Sequence, residues 1–326
     1  MITVYFEKNR LLQSQIITNE DLSLLQKAIW IDLLCPTDAE ETLIETYLKF
    51  NIPSKKEMQA IEPSSRFYHD NNAVFMTATV IANSTSSAPS SEAVTFIFTE
   101  MTLVTIRYSE PQSFSSFISS ILKQNTLPYN VSTIFIGLLE SSVDRLADIL
   151  ESVTSKLDDI SQTIFRPKIS ERKTKGINYK KLLQEIGANG DLGAKSTESL
   201  ISFNRLISYF KKNKGTMLDS NQLTQLELTA KDIDALSDHA AFISNKVGFL
   251  LDATLGMVNI EQSNIIKIFS VAAVIFLPPT LIASIYGMNF HVMPELHWAL
   301  GYPFALVLMI ISAWLPYQYF KHRKWL

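Results

Sequence analysis

Cysteine is almost absent: Cys35 is the only one in 326 residues. No disulfide can form within the chain, and such usage suits a reducing compartment. Cys35 itself reads as a small core residue. The opening stretch MITVYFEKNR has no basic segment leading into an apolar run, so no signal peptide is expected and the N-terminus is expected to stay in the cytosol. No GxxxxGK[ST] phosphate loop occurs, and residues 1–264 offer no nucleophile–base pair and no metal-ligand cluster. These absences argue against an enzyme, and no organic cofactor or nucleic-acid partner is expected. Charge is scarcest at the end of the chain. In residues 265–326 the only acid is Glu295, and the only Lys or Arg residues are Lys267, Lys321, Arg323 and Lys324. Residues 1–264 hold the other 31 acids and 25 bases, a net charge of −6. An acidic, water-soluble body is therefore joined to an apolar tail.

Two uncharged runs make up that tail. Residues 268–286 number 19, which as a helix reach roughly 28 Å, the thickness of bilayer hydrocarbon. Residues 298–320 are also uncharged and slightly longer. Two such runs in succession read as a membrane hairpin. Lys321, Arg323 and Lys324 follow the second run and Lys267 opens the first, while the link between them has no base. Basic flanks stay in the cytoplasm, so both termini are expected inside and the link outside. Tyr286, Trp298 and Tyr302 flank the outer face and Trp325 lies beyond the inner one, as amphipathic aromatics do at interfaces.

The body reads as α+β. Over residues 1–128, MITVYF, AIWIDLL, AVFMTATVIA, AVTFIF and TLVTIRY are strand-like, rich in β-branched and aromatic residues. The last two are close enough for a hairpin. TDAE at 37–40 and SKKE at 54–57 are capping boxes, each predicting a helix start. Residues 83–92 read as a polar surface loop. Residues 129–264 are expected to be long helices: 129–165, ended by Pro167; about 178–212, with a possible break at GANGDLG and a turn at 211–215; and a third from Asp219. In that third helix Leu226, Ile233, Ala240, Val247 and Thr254 recur every seven residues, interleaved with Leu236, Ile243, Leu250 and Met257. Such a repeat packs against other helices. No proline interrupts it before the membrane, so it is expected to run on into the first span.

Two helices cannot enclose an aqueous path, but several copies can, and one face of a span should then carry polar or small residues. Ser263, Ser270, Leu277 and Ser284 are seven apart, and so are Ile266, Ala273, Thr280 and Gly287. At 100° per residue the hydroxyls of Ser270, Thr280 and Ser284 fall within roughly 80° of arc. Two readings fit this stripe: a wetted pore face, or hydroxyls bonded to their own helix in a dry contact. Pro278-Pro279 should bend the helix or free carbonyls, for which a water-lined pore would supply a partner.

The motifs YGMNF at 286–290, MPEL at 293–296 and GYP at 301–303 resemble the CorA family of magnesium transport proteins. The stretch 259–290 and the terminal KWL resemble its enterobacterial branch, and AIWIDLL at 28–34 and IEPSSRFYHD at 61–70 carry the likeness upstream. The resemblance implies a homopentameric funnel in a bacterial inner membrane. Its first spans (265–290) line a pore, its second spans (298–320) form an outer ring, 291–297 is the external loop and 321–326 a basic cytosolic tail. It implies that Gly287, Met288 and Asn289 form the outer mouth, with Asn289 as the first ion site, and that Thr280, Leu277, Ser270, Ile266 and Ser263 line the pore. Glu295 would attract external cations. Mg²⁺ is then both transported and regulatory, Co²⁺ and Ni²⁺ are further candidate cargoes, and Asp252 is a candidate sensing acid. The sets Asp232, Asp234, Asp238 and Glu140, Asp144, Asp148 are open as other candidates, each equally readable as a solvated helix face. A zinc transporter of the same superfamily, suggested by His291 and His297, and a non-conducting membrane-anchored scaffold are the competing readings.

Overall fold

The computed structural model describes residues 1–17, 22–60, 62–70, 72–86, 88–123, 129–166, 177–288, 291, 293–294, 298–323 and 325. The chain divides into two compact units, Met1–Leu251 and Asp252–Leu326.

The first unit is built on one mixed sheet of seven strands: β1 (Ile2–Lys8), β2 (Leu11–Ile17), β3 (Ala28–Leu34), β4 (Phe67–Asp70), β5 (Ala73–Ala82), β6 (Ser90–Phe98) and β7 (Leu103–Arg107), in the order β2-β1-β3-β7-β6-β5-β4. The β3–β7 pair at its centre is parallel and every other pair antiparallel. All five strand-like runs are strands, and the last two form the expected hairpin. Because side chains alternate across a strand, Ile2, Val4, Ile31, Leu33, Val104 and Ile106 fall on one face. There they pack with Ile44 of helix α1 (Asp38–Leu48) and with Met58 of α2 (Lys55–Met58). Both helices begin at complete capping boxes, with Thr37 paired to Glu40 and Ser54 to Glu57. After the short α3 (Pro63–Arg66), the opposite face is covered by α4 (Gln112–Ile121), α5 (Val131–Phe165) and α6 (Tyr179–Lys214). Aromatic rings fill that layer: Trp30 and Phe96 against Phe114, and Phe98 against Phe135 and Phe210.

Helix α6 runs unbroken through GANGDLG and on to Lys214, four residues into the expected turn; a short 3-10 segment, Gly215–Met217, follows. Of its three glycines there, Gly190 sits tight, since a Cβ would stand 3.1 Å from Val247; one at Gly193 would meet Ile243 at an ordinary 3.4 Å, and Gly187 faces open space. Those partners lie on α7 (Ser220–Tyr286), which starts where Gln222 N–H donates to Asp219 Oδ1 at 2.8 Å. The heptad behaves as the spacing predicts: Leu226, Ile233, Ala240, Ile243 and Leu250 are buried.

In the second unit α7 continues to Tyr286, and α8 spans Gly301–His322. Both helices are long and apolar enough to cross a membrane.

Candidate functional site

The stripe lies on one helix. Ser263, Ile266, Ser270, Ala273, Leu277, Thr280 and Ser284 all belong to α7 and all are exposed in the single chain. Ile266 and Leu277, the bulkiest, are 65% and 66% exposed. The Thr280 hydroxyl donates to the Phe276 carbonyl at 2.8 Å. Its proton is therefore used within the helix, while its remaining lone pairs can still accept from water. The two readings of the stripe are thus compatible at this residue.

Pro278 and Pro279 sit inside α7 without ending it. Each lacks an N–H, so the carbonyls four residues back, of Val274 and Ile275, lose their helix donors. On the helical wheel Ile275 lies roughly 170° from the middle of the stripe, and Val274 roughly 70°. The Val274 carbonyl thus lies nearer the stripe and the Ile275 carbonyl on the opposite side of the helix.

At the outer end, Gly287 N–H donates to Ala283 O at 3.0 Å and Met288 N–H to Ile285 O at 3.2 Å, closing the last turn. No described glycine has a positive φ, so Gly287 is not needed there for a left-handed cap. Its use is close approach: a Cβ would stand 3.2 Å from the Ala283 carbonyl oxygen. Met288 is exposed. Asn289 and Glu295 lie outside the described residues, as does His297. Beyond the link, α8 begins at Gly301, whose N–H donates to Trp298 O at 2.9 Å.

The acids that the sequence kept as separate sets meet in part. Glu140 and Asp144 on α5 both have pKa values raised, first by burial, then by neighbouring carboxylates. For Glu140 those neighbours are Asp144 and Asp232, and for Asp144 they are Asp148 and Asp232. Asp234 instead accepts from Asn204 Nδ2 at 2.9 Å, and Asp252 is exposed. Among the described residues no three or more His, Cys, Asp or Glu converge tightly enough to hold a metal ion.

Sequence reading missed a second row on α7. Leu228, Phe242 and Phe249 are 53%, 56% and 59% exposed, and with Ala235 they too are seven apart. The spacing was visible; what set this row apart from the buried one was which side α5 and α6 occupy.

Residues 26–322 match the family described as CorA-like Mg²⁺ transporter protein. The chain is 34% identical over 307 residues to the magnesium transport protein CorA of Pectobacterium atrosepticum, spanning 94% of this chain and 95% of that one. It is 33% identical over 320 residues to the protein of the same name from Escherichia coli K12, spanning 98% of each. The complete structure of the CorA magnesium transporter from Methanocaldococcus jannaschii superposes with a TM-score of 0.76 at 17% identity, covering 100% of this chain and 99% of that one. At that identity the likeness speaks for the fold.

Proposed function

The chain belongs to the CorA-like Mg²⁺ transporter protein family, and from that premise we propose that it carries Mg²⁺ inward through a pore shared by five copies. The observation that carries this reading is the placement of Gly287 and Met288, the first two residues of the Gly-Met-Asn motif, directly after the last turn of α7, with a second apolar helix later in the chain. In the proposed pentamer the α7 helices line the pore, the α8 helices surround them, and both termini face the cytoplasm. The exposed Phe242 and Phe249 support assembly, since apolar rows of this size are covered in stable proteins.

Five Asn289 amides around one axis suit the ion. Mg²⁺ is small, prefers octahedral oxygen and sheds water reluctantly. Neutral amide oxygens accept hydrogen bonds from its water shell without stripping it, whereas a carboxylate ring would hold it too tightly to pass. Glu295, repeated five times, concentrates cations at the mouth. Co²⁺ and Ni²⁺ are further candidate cargoes. Rings of Leu277 and Ile266 act as apolar constrictions that close by dewetting. The membrane potential drives entry: about 2.3 kcal/mol per charge per 100 mV, hence roughly 4.6 for a divalent ion. Internal Mg²⁺ closes the pore by bridging carboxylates of neighbouring subunits. Asp252 is one candidate. The repulsion among Glu140, Asp144 and Asp232 within one subunit offers a second candidate of a different kind, because a cation there would relieve it without bridging subunits.

The test is uptake into vesicles holding the purified protein, at low and high internal Mg²⁺. Mg²⁺ entry that falls at high internal Mg²⁺ and is lost in Asn289→Ala is expected. Preferred entry of Zn²⁺ would point to a zinc transporter, and no flux of any ion to a scaffold.

A further inference from the structure

We propose that the C-terminal turn of α8 is a binding surface for the headgroups of anionic phospholipids. This rests on the reading above that places this end at the cytoplasmic leaflet.

Lys321 and Arg323 close the helix. Lys321 Nζ lies 6.0 Å from the Tyr317 ring centroid and Arg323 Cζ lies 5.8 Å from that of Tyr319. The chain then folds back: Trp325 N–H donates to Phe320 O at 3.0 Å, and its ring stacks on Phe320 at 5.6 Å and 25°. Two cations and four aromatic rings thus share the end of an apolar helix. Lys321, Arg323 and Trp325 are all exposed. Glu295 is the only Asp or Glu in residues 265–326, so an acidic side chain near these cations would have to come from outside that stretch. Rings with one polar edge settle at the depth of the headgroups. That depth brings the guanidinium fork and the ammonium to phosphate oxygens, which the fork engages two at a time. A zwitterionic headgroup carries its own cation to offset them; an anionic one does not. The cytoplasmic leaflet is anionic, and each basic residue there is worth roughly fivefold in association.

The experiment uses the full chain in nanodiscs of phosphatidylcholine with or without phosphatidylglycerol. Lipids retained by the wild-type protein are counted by native mass spectrometry. Quenching of Trp325 by brominated lipid is read in a Trp298→Phe/Trp314→Phe background. Retention of the anionic lipid over the zwitterionic one by at least roughly 25-fold is expected, falling roughly 25-fold from the wild-type value in Lys321→Gln/Arg323→Gln. Equal retention of the two lipids by the wild-type chain, or an undiminished preference in the double variant, would overturn the proposal. Displacement of the lipid by millimolar inorganic phosphate would overturn it too, by showing a site for the free anion. Mg²⁺ flux in phosphatidylcholine vesicles alone is the separate control: its absence sinks the transport reading and leaves the lipid preference to stand or fall by itself.

Discussion

Asp32 and Arg107 meet as a two-point fork across the parallel pair β3–β7. Arg107 Nη2 lies 2.8 Å from Asp32 Oδ2, Arg107 Nε lies 3.1 Å from Oδ1, and both side chains are buried. The rest of the fork is satisfied locally. Thr105 donates its hydroxyl to Asp32 Oδ1 at 2.7 Å and accepts from Trp30 Nε1 at 2.9 Å, and Arg107 Nη1 donates to the Ser109 carbonyl at 2.9 Å. Burial, reinforced by the Asp32 charge, pushes the Tyr5 phenol well above its ordinary pKa.

Removing one partner strands the other. Asp32→Ala leaves Arg107 as an uncompensated buried charge and is expected to cost about 3–5 kcal/mol. Asp32→Leu/Arg107→Met, which removes both charges, is expected to cost less than Asp32→Ala alone. Thermal unfolding of the detergent-solubilised protein checks both.

A second weld joins the sheet to α6. Strand β4 pairs only with residues 73–76 of β5, and beyond it the Thr79 backbone turns to serines. Ser199 Oγ donates to Thr79 O at 2.6 Å, and Thr79 N–H donates to Ser202 Oγ at 2.9 Å. Ser202→Ala leaves the Thr79 N–H without its serine partner, and Ser199→Ala leaves the Thr79 carbonyl only the 3.4 Å contact with Ser202 Oγ, so each is expected to cost about 1–3 kcal/mol. The double variant should cost less than the sum, because both act on one residue. Denaturant midpoints measure this.

The acid cluster makes stability depend on pH. Glu140 and Asp144 have folded pKa values above their ordinary ones of 4.5 and 3.8. The folded state therefore binds protons more readily than the unfolded state. The destabilisation is full at pH above the raised values, and stability rises as pH falls through them toward the ordinary ones. Glu140→Gln is expected to raise the melting temperature at neutral pH and to flatten its pH profile. Millimolar Mg²⁺ should raise the wild-type melting temperature more than that of the variant.

The wheel position of the stripe separates two substitutions two residues apart. Leu277→Ser puts a hydroxyl in the proposed constriction and is expected to raise Mg²⁺ flux severalfold at high internal Mg²⁺. Ile275→Ser, on the opposite side, is expected to leave flux and its inhibition as they are. Equal effects in the vesicle assay would place the pore face elsewhere.

What could be read in advance followed how local the signal was. Strands 28–34 and 73–82 match their apolar runs residue for residue. β2 escaped notice because most of LLQSQII is exposed at the sheet edge, and the turn before it places Asn9 and Arg10 at φ of 56° and 63°. Such two-residue turns usually advertise themselves with glycine at the second place; arginine there hides the hairpin.

The two apolar spans, the basic ends, the heptad of α7 and the motif after Tyr286 were determined by sequence alone, because hydropathy, charge and period are properties of neighbouring residues. The tertiary structure alone decided that α6 stays helical through three glycines, that Asp32 finds Arg107 75 residues away, and which row of α7 faces its own subunit. Each of these depends on a surface brought from a distant part of the chain. The free energy of close packing and of pairing a buried charge exists only once that surface has arrived.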